Sequence, residues 1–506
     1  MLTRLLCLAA VSHAFVIPEI VLHKGGVNGG VASENAECSR IGRNVLSKGV
    51  RILRALSSFL PFPLSSRILI PGIATGQRGG LSRGHHLCIG VVASHHSGIG
   101  GGGFAVVRDE DGAYEVIDFR EAAPAAAFED MYQGNVQGSI RSGLSAGIPG
   151  EVRGLEYMHK NMATTPSEIA ESMISVLQKE NGTMTLEDLR SYQAISREAL
   201  EISYRGYKLY TSGAPSSGAV LMGILKIMEQ YPVRDWEDVD LTIHRFSEAM
   251  RFAYGARLEL GDPDFVPASR KVEKMLLSDS WARTVRGIIL DNQTQPVEVY
   301  DPREIYTTDG QGTSHIVTAD KKGMATSMTT TVNLLYGSLI MDPVTGQQRN
   351  ERLLHPQRLQ RIRLRPSAAN FIRPNKRPLS SITPVIIEIP ADPATGRPAR
   401  LYTTVGAAGG SRIISATTQV VWHLVEHDFS LRRALAEPRL HDQLMPNHVL
   451  FEYGFDNATV DSMRDRGHEI VRVAEGLSAV HAVRVQGGVF EAEAEPRQKD
   501  SGGSTA

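Results

Sequence analysis

The sequence predicts an α+β fold, and three observations point to it. Strand-like runs close into hairpins, helical periods occupy separate stretches, and a glycine pair stands where a strand gives way to a helix. The chain has 506 residues, 42% of them hydrophobic, which is enough to bury a sizeable core. Its 54 Lys and Arg nearly balance 55 Asp and Glu, so no overall field favours nucleic acid or an anionic membrane surface.

Residues 1–14 read as a signal peptide. Arg4 precedes an apolar stretch from Leu5 to Val11, and Ser12-His13-Ala14 form a small-residue exit before Phe15. The stretch is too short to cross a bilayer, and a buried N-terminal helix is the plain alternative. The first reading sends the chain into the secretory pathway, with an extracellular, vacuolar or membrane-associated endpoint. Cys7 would leave with the signal, so Cys38 and Cys88 remain, either as one bridge or as two buried thiols. Asn181, Asn292 and Asn457 each head an N-x-Thr triplet that fits a glycan acceptor.

A helix is predicted near 37–48. Residues 49–86 are basic, broken by Pro, Ser and Gly, and hold no sustained period, as expected of an insertion. CIGVVASHHSGIGGGGFAVV then gives a helix, a Gly-rich turn and a strand, and YEVIDFRE supplies a second strand after the turn at 109–112. The Gly-rich run from Ser97 to Phe104 lacks GxxxxGK[ST] and a convincing dinucleotide unit, which favours a packed structural turn over a phosphate loop. Helical patterns cover 167–190, 220–230, 241–258 and 272–290.

A polar loop at 307–312 leads into a hairpin whose strands are 315–319 and 324–332, with a turn at 320–323. Counting across a turn centred near Lys321 and Lys322 sets Thr331 beside Thr313, and puts Asn333 on the same strand face as Thr331. A second hairpin joins 384–389 to 401–405 through ADPATGRPA and runs into Gly406-Ala407-Ala408-Gly409-Gly410. A helix over 412–426 follows, so the Gly pair can open its N-terminus with amides exposed.

The hydroxyl of Thr313 stays protonated near neutral pH. At the start of a chain, a threonine's own α-amine, with a pKa of about 8, can take that proton. Gly312 leaves the preceding bond unshielded, and attack of the Thr313 hydroxyl on the Gly312 carbonyl, followed by ester hydrolysis, would cut the chain and free the amine. A threonine at a strand start is otherwise a β-former or a local hydrogen-bonding residue.

The segments VASENAECSRIG, SGIGGGGFAVV, DFREAAP, GIPGEVRG, TSHIVTADKKGMATSMTTTVNL, NKRPLSSITP and TTVGAAGGS follow one another from about Gly29 to the C-terminus, with two interruptions. In that order they resemble the γ-glutamyltransferase (γ-glutamyltranspeptidase) family of N-terminal-nucleophile hydrolases, in particular fungal-like precursors. The resemblance implies a four-layer αββα sandwich and a precursor that cuts itself into a large region, 15–312, and a small region, 313–506, which stay together.

By the same motifs, Thr313 is the implied nucleophile and Thr331 the threonine that bonds it and assists processing. Gly409 and Gly410 become the implied oxyanion hole. Arg120, with Ser380 and Ser381, would hold the substrate α-carboxylate, and Asn333 its α-amino end. The implied substrates are glutathione and other γ-glutamyl compounds, with water or the amines of amino acids and dipeptides as acceptors. Amide acyl transfer asks for no cofactor, and no coherent metal-ligand spacing stands out in the sequence.

Two segments depart from the family pattern. Residues 49–86 stand where the family continues from the equivalent of Lys48-Gly49 through a GNAVDAA-like helix. Between Gly346 and Ser367 (347–366), QQRNERLLHPQRLQRIRLRP replaces an acidic NNEMDDF-like segment that anchors the substrate α-ammonium, and its arginines would repel that group. Both departures are read as translated intron or shifted-frame sequence, which sequencing of the expressed transcript tests. The competing functional readings are an acylase for another amide, disfavoured by Arg120 with Ser380-Ser381, and a non-catalytic secreted glycoprotein on the same scaffold.

Overall fold

Alternating apolar positions build two large antiparallel sheets. Numbered in chain order, the strands of the first lie as β13 (Gly502–Thr505), β1 (Gly29–Ser33), β7 (Thr313–Asp320), β8 (Ala325–Thr331), β2 (Gly102–Arg108), β3 (Tyr114–Asp118) and β4 (Ile195–Arg197). The second sheet runs β12 (Val489–Glu493), β11 (Ala479–Gln486), β10 (Arg400–Ala408), β9 (Val385–Ile389), β6 (Tyr207–Thr211) and β5 (Leu200–Tyr204). This computed structural model describes residues 25–47, 88–135, 137–159, 168–233, 238–301, 305–306, 312–341, 348–349 and 365–506. The expected signal peptide, the 49–86 segment, the 307–311 part of the polar loop and all but four residues of 347–366 lie outside the described residues.

The period of two decides the layering. Ala32, Val106, Val317 and Ala319 of the first sheet meet Ile386, Leu401 and Val483 of the second, so the sheets share one apolar interface. The buried pair of Arg108 on β2 with Glu388 on β9, 3.0 Å apart, ties the two sheets at one edge of that interface. The opposite face of the first sheet, with Ala105, Ile117, Ile316 and Met328, packs on Cys38, Ile89 and Leu155 of the helical segments that cover it. Leu209, Val385, Val405 and Val480 of the second sheet are packed with Val220, Phe246, Met250 and Val420, which come from the Gly218–Met228, Val239–Arg257 and Arg412–Glu426 helices. Helices, sheet, sheet and helices form the four-layer αββα sandwich expected from the resemblance.

Most expected elements are present, with three corrections. The 167–190 pattern is two helices, Glu168–Lys179 and Leu186–Ser191. Asn181, at φ 63°, leaves the helical region, and a Thr185–Asp188 capping box starts the second helix. The 272–290 pattern also divides, into Ser269–Leu276 and Asp279–Ile288, because the Ser278 side chain accepts the Trp281 N–H and opens a new N-terminus. Asn333 is not on the strand face with Thr331. β8 ends at Thr331, and Asn333 adopts φ 64°, with its N–H bonded to the Thr331 hydroxyl at 2.9 Å instead of to a ladder partner.

The two cysteines left open by the sequence form the Cys38–Cys88 disulfide. Asn181, Asn292 and Asn457 are all exposed. No helix among the described residues is long and apolar enough to cross a membrane.

Candidate active site

The β7–β8 hairpin sets the first part of the site. Its register pairs Thr313 with Thr331 and Ser314 with Thr330, as counting across the turn predicts. The Thr313 and Thr331 hydroxyl oxygens stand 3.2 Å apart, both residues buried. The Thr331 hydroxyl donates to the carbonyl oxygen of Gly312, which also accepts the Val332 N–H at 3.2 Å. A threonine hydroxyl has one proton, so with that proton on the Gly312 oxygen, Thr331 must accept from Thr313. The Thr313 hydroxyl, the Thr331 hydroxyl and the Gly312 carbonyl therefore form a continuous hydrogen-bonded chain.

Asn333 extends this chain. Its Nδ2 donates to Glu121 Oε1 at 3.3 Å, and the other Glu121 oxygen pairs with Arg120 Nη1 at 2.7 Å. Burial pushes the Glu121 carboxyl pKa up, against the opposing pull of Arg120. The Arg120–Glu121 ion pair is buried. Arg120 Nε also donates to Pro378 O at 3.4 Å, bringing it to the loop that carries Ser380 and Ser381.

That loop is laced to the Arg120 segment. Arg377 bonds Asp118 through its side chain, and Asn375 N–H donates to Ala123 O at 2.9 Å. In this state the Ser380 hydroxyl accepts the Ile382 N–H at 3.2 Å, and Ser381 accepts from Arg257 Nη2 at 2.9 Å. Arg257 also donates to Ser217 at 2.9 Å, and Ser217 donates to Ser380 O at 2.6 Å, so the Gly218–Met228 and Val239–Arg257 helices brace both serines.

Gly409 and Gly410 follow the end of β10, at φ 133° and 66°, and the Arg412–Glu426 helix begins two residues later. Both φ values lie where side-chain-bearing residues are strained, and a Cβ on Gly409 would come within 2.7 Å of Leu477 O. Upstream, a Cβ on Gly406 would stand 2.4 Å from His315 Cε1, so β10 rests directly on β7. Burial pushes the His315 pKa well down, and the ring bonds Thr329 at 2.7 Å as a neutral group between the sheets.

The Gly-rich run is a packed turn, as the sequence favours. A Cβ on Gly101 would meet Thr331 O at 2.1 Å, and one on Gly103 would meet Thr329 O at the same distance. Glycine here lets the run lie flat against the end of β8.

One metal-ligand cluster escaped the sequence reading. Among the described residues, His244, Glu248 and His468 bring one ligand atom each within 4.8 Å of one another, and all three are buried. His244 Nε2 meets the Leu290 carbonyl at 2.7 Å, so it carries the proton, and His468 Nε2 then donates to His244 Nδ1 at 2.8 Å. Glu248 already accepts from Tyr300 at 2.6 Å and Thr294 at 2.7 Å, and Arg251 stands 4.0 Å away. These contacts, with Arg251 beside Glu248, link the three residues into a buried polar chain. The signal for it was the i, i+4 spacing of His244 and Glu248; His468 is distant in sequence.

Comparison with known proteins agrees with the architecture. The family model for Gamma-glutamyltranspeptidase matches residues 85–168 and 165–505. The chain is 38% identical to the glutathione hydrolase proenzyme of Arthroderma benhamiae, over 94% of this chain and 92% of that protein. That alignment spans 570 positions against the 506 residues of the chain, so parts of the relative have no counterpart here. Identity to the glutathione hydrolase of Aspergillus flavus is 32%, over 94% of this chain and 89% of that one. Among solved structures, cephalosporin acylase from Bacillus halodurans shares the fold, with a TM-score of 0.72 over 97% of this chain and 98% of that chain at 18% identity. The chain belongs to the γ-glutamyltranspeptidase family, whose chemistry is γ-glutamyl transfer and hydrolysis.

Proposed function

We propose that the chain cuts itself between Gly312 and Thr313, and that the freed Thr313 then cleaves glutathione and related γ-glutamyl amides through an ester intermediate. The observation that carries this reading is the Thr331 hydroxyl, bonded at once to the Thr313 hydroxyl and to the Gly312 carbonyl oxygen.

In the uncut chain, Thr313 Oγ1 attacks the Gly312 carbonyl carbon. Its proton passes to Thr331, and the Thr331 proton passes to the developing oxyanion, which the Val332 N–H also stabilises. Collapse breaks the C–N bond, returns the proton to the Thr313 nitrogen and leaves an ester of Gly312 on the threonine. Water hydrolyses that ester and yields a free α-amine beside a free hydroxyl. The large region 15–312 and the small region 313–506 remain joined through the shared sheet, since β1 and β2 flank β7 and β8.

In turnover, the α-amine takes the Thr313 hydroxyl proton as the oxygen attacks the γ-carbonyl carbon of the substrate. The Gly409 and Gly410 amides stabilise the oxyanion, and the ammonium returns the proton to the departing amine. Water or the amine of an amino acid or dipeptide then takes the γ-glutamyl group. Arg120 with Ser380 and Ser381 receives the α-carboxylate, and Asn333 the α-amino end. The buried acid beside Asn333 is Glu121. The Arthroderma relative is a glutathione hydrolase proenzyme, which supports the processing step, and the signal-like pattern of residues 1–14 supports entry to the secretory pathway.

The test is denaturing electrophoresis with N-terminal sequencing, beside release of product from a γ-glutamyl anilide. Before loss of residues 1–14 and any glycan, wild type should give fragments of about 34 and 21 kDa from the 55.2 kDa chain, the smaller beginning at Thr313. Thr313→Ala should stay uncut and lose turnover by at least roughly 10³-fold, the scale on which loss of a covalent nucleophile acts. An uncut Thr313→Ala protein with full activity would overturn the reading, and so would an active small fragment with another first residue.

A further inference from the structure

The two positions beside the Thr313–Thr331 pair face away from it. When Thr313 and Thr331 project between the sheets, their neighbours Ser314 and Thr330, paired in register, must project to the helix side. Ser314 and Thr330 are fully buried there, on the face where Ile316 and Met328 make apolar contacts. Valine at either position would pack on that face without a polar group to satisfy. Hydroxyls stand there instead, and each is gripped by a buried carboxylate.

Ser314 donates to Glu34 Oε1, and Thr330 donates to Glu151 Oε2. Glu34 follows directly on β1, the neighbour of β7, and is 8% exposed. Glu151 is the first residue of the Glu151–His159 helix and is 1% exposed.

The Gly-rich loop joins the two grips. His96 Nδ1 lies 3.2 Å from the second Glu34 oxygen, and Ser97 Oγ donates to Thr330 Oγ1 at 3.3 Å. The Glu151 N–H donates to Gly101 O at 2.9 Å, and the Val332 N–H donates to His96 O at 3.1 Å. The strand ends that carry the reacting hydroxyls are thus held from the face opposite the chemistry.

We propose that Glu34 and Glu151 are positioning residues for the Thr313 reaction. By fixing Ser314 and Thr330 they hold the ends of β7 and β8 so that the Thr313 and Thr331 hydroxyls stay at bonding distance. The inference rests on the reading of Thr313 as nucleophile. A displacement of about 1 Å at a reacting group can cost about 100-fold in rate, so a loosened grip is expected to be visible in kinetics.

The experiment uses the full chain with Glu34→Ala, Glu34→Gln, Glu151→Ala and Glu151→Gln, beside Thr313→Ala. The rate of self-cleavage, the kcat per cleaved molecule, the KM for a γ-glutamyl anilide and the Tm are measured for each. The Ala variants should slow self-cleavage and kcat by about 10- to 100-fold and leave KM within about two-fold. The Gln variants keep an acceptor oxygen for the hydroxyl and should recover most of both rates. Ala variants with wild-type rates overturn the inference, as do Gln variants as slow as Ala at unchanged Tm, or losses confined to KM. If the Ala variants do not fold, Ser314→Ala and Thr330→Val remove the gripped hydroxyls instead, and wild-type rates in both overturn it equally. Turnover retained by Thr313→Ala removes the nucleophile reading itself. An inactive Thr313→Ala beside normal Glu34 and Glu151 variants removes only the positioning role.

Discussion

The hairpin that carries Thr313 and Thr331 and the wall that carries Arg120 are assembled in opposite ways. Thr313 and Thr331 meet across 18 positions of sequence, through one turn and a two-residue alternation. Arg120 reaches Pro378 across 258 positions, and Asn333 reaches Glu121 across 212. A locally closed pair depends on strand register, whereas the wall depends on ion pairs and backbone bonds that join remote segments, such as Arg377 with Asp118. Changes at the hairpin should therefore reach both self-cleavage and turnover. Changes at the wall should reach substrate binding alone.

Gly406→Ala presses on the hairpin from the other sheet and should have the largest effect of three. The new Cβ would lie 2.4 Å from the ring of His315, which is fully buried and has no room to swing aside. A loss of about 1–3 kcal/mol in urea unfolding is expected, as for other overpacked interiors, with slower self-cleavage. An unchanged unfolding midpoint would show that β7 is less tightly seated than the hairpin reading requires.

Arg120→Lys probes the wall. It keeps a charge beside Glu121 but loses the planar fork, so KM for a γ-glutamyl anilide should rise about 10-fold, or about 1.4 kcal/mol, with self-cleavage unchanged. Impaired self-cleavage in this variant would erase the distinction between the two regions.

His468→Gln serves as a control at a residue that bonds neither Thr313, Thr331 nor Arg120, with its effect expected in acid stability. Burial pushes the His468 pKa down to about 2, while the unfolded chain takes the proton near 6.5. Below about pH 6.5 the unfolded state binds the extra proton, so His468 makes stability fall with pH by up to about 1.4 kcal/mol per unit. Glu248, pushed up to about 7, takes its proton first in the folded state and acts in the opposite sense between pH 7 and 4.5. Unfolding at pH 6 and 5 should show the wild-type advantage over His468→Gln shrinking as pH falls. Turnover per folded molecule should be unchanged, and a variant with the wild-type acid slope would disprove the assignment.

The same contrast governs what could be read from the sequence. The Thr313–Thr331 register, the second hairpin and the Arg412–Glu426 helix were legible, because each follows from a period and the residues that end it. Asn333 was misplaced, since nothing in a strand period announces that the Thr331 hydroxyl will take its N–H and end the ladder. Glu34 and Glu151 lay inside recognisable motifs, yet their partners Ser314 and Thr330 lie 280 and 179 positions away. Glu121 was visible only as a neighbour of Arg120, and its contact with Asn333 needs β3 and β8, far apart in sequence, set on either side of β2 in one sheet.

By itself the sequence determined the local geometry: where strands alternate, where glycine permits a turn, and which two hydroxyls a hairpin sets side by side. Only the tertiary structure decided which carboxylates lie beneath that hairpin, that Arg120 pairs with Glu121 in the interior, and that Cys38 and Cys88 are joined. The physical reason is range: backbone dihedrals and strand alternation act over a few residues, whereas a buried polar side chain takes its partner from whatever segment the packed layers bring within about 3 Å.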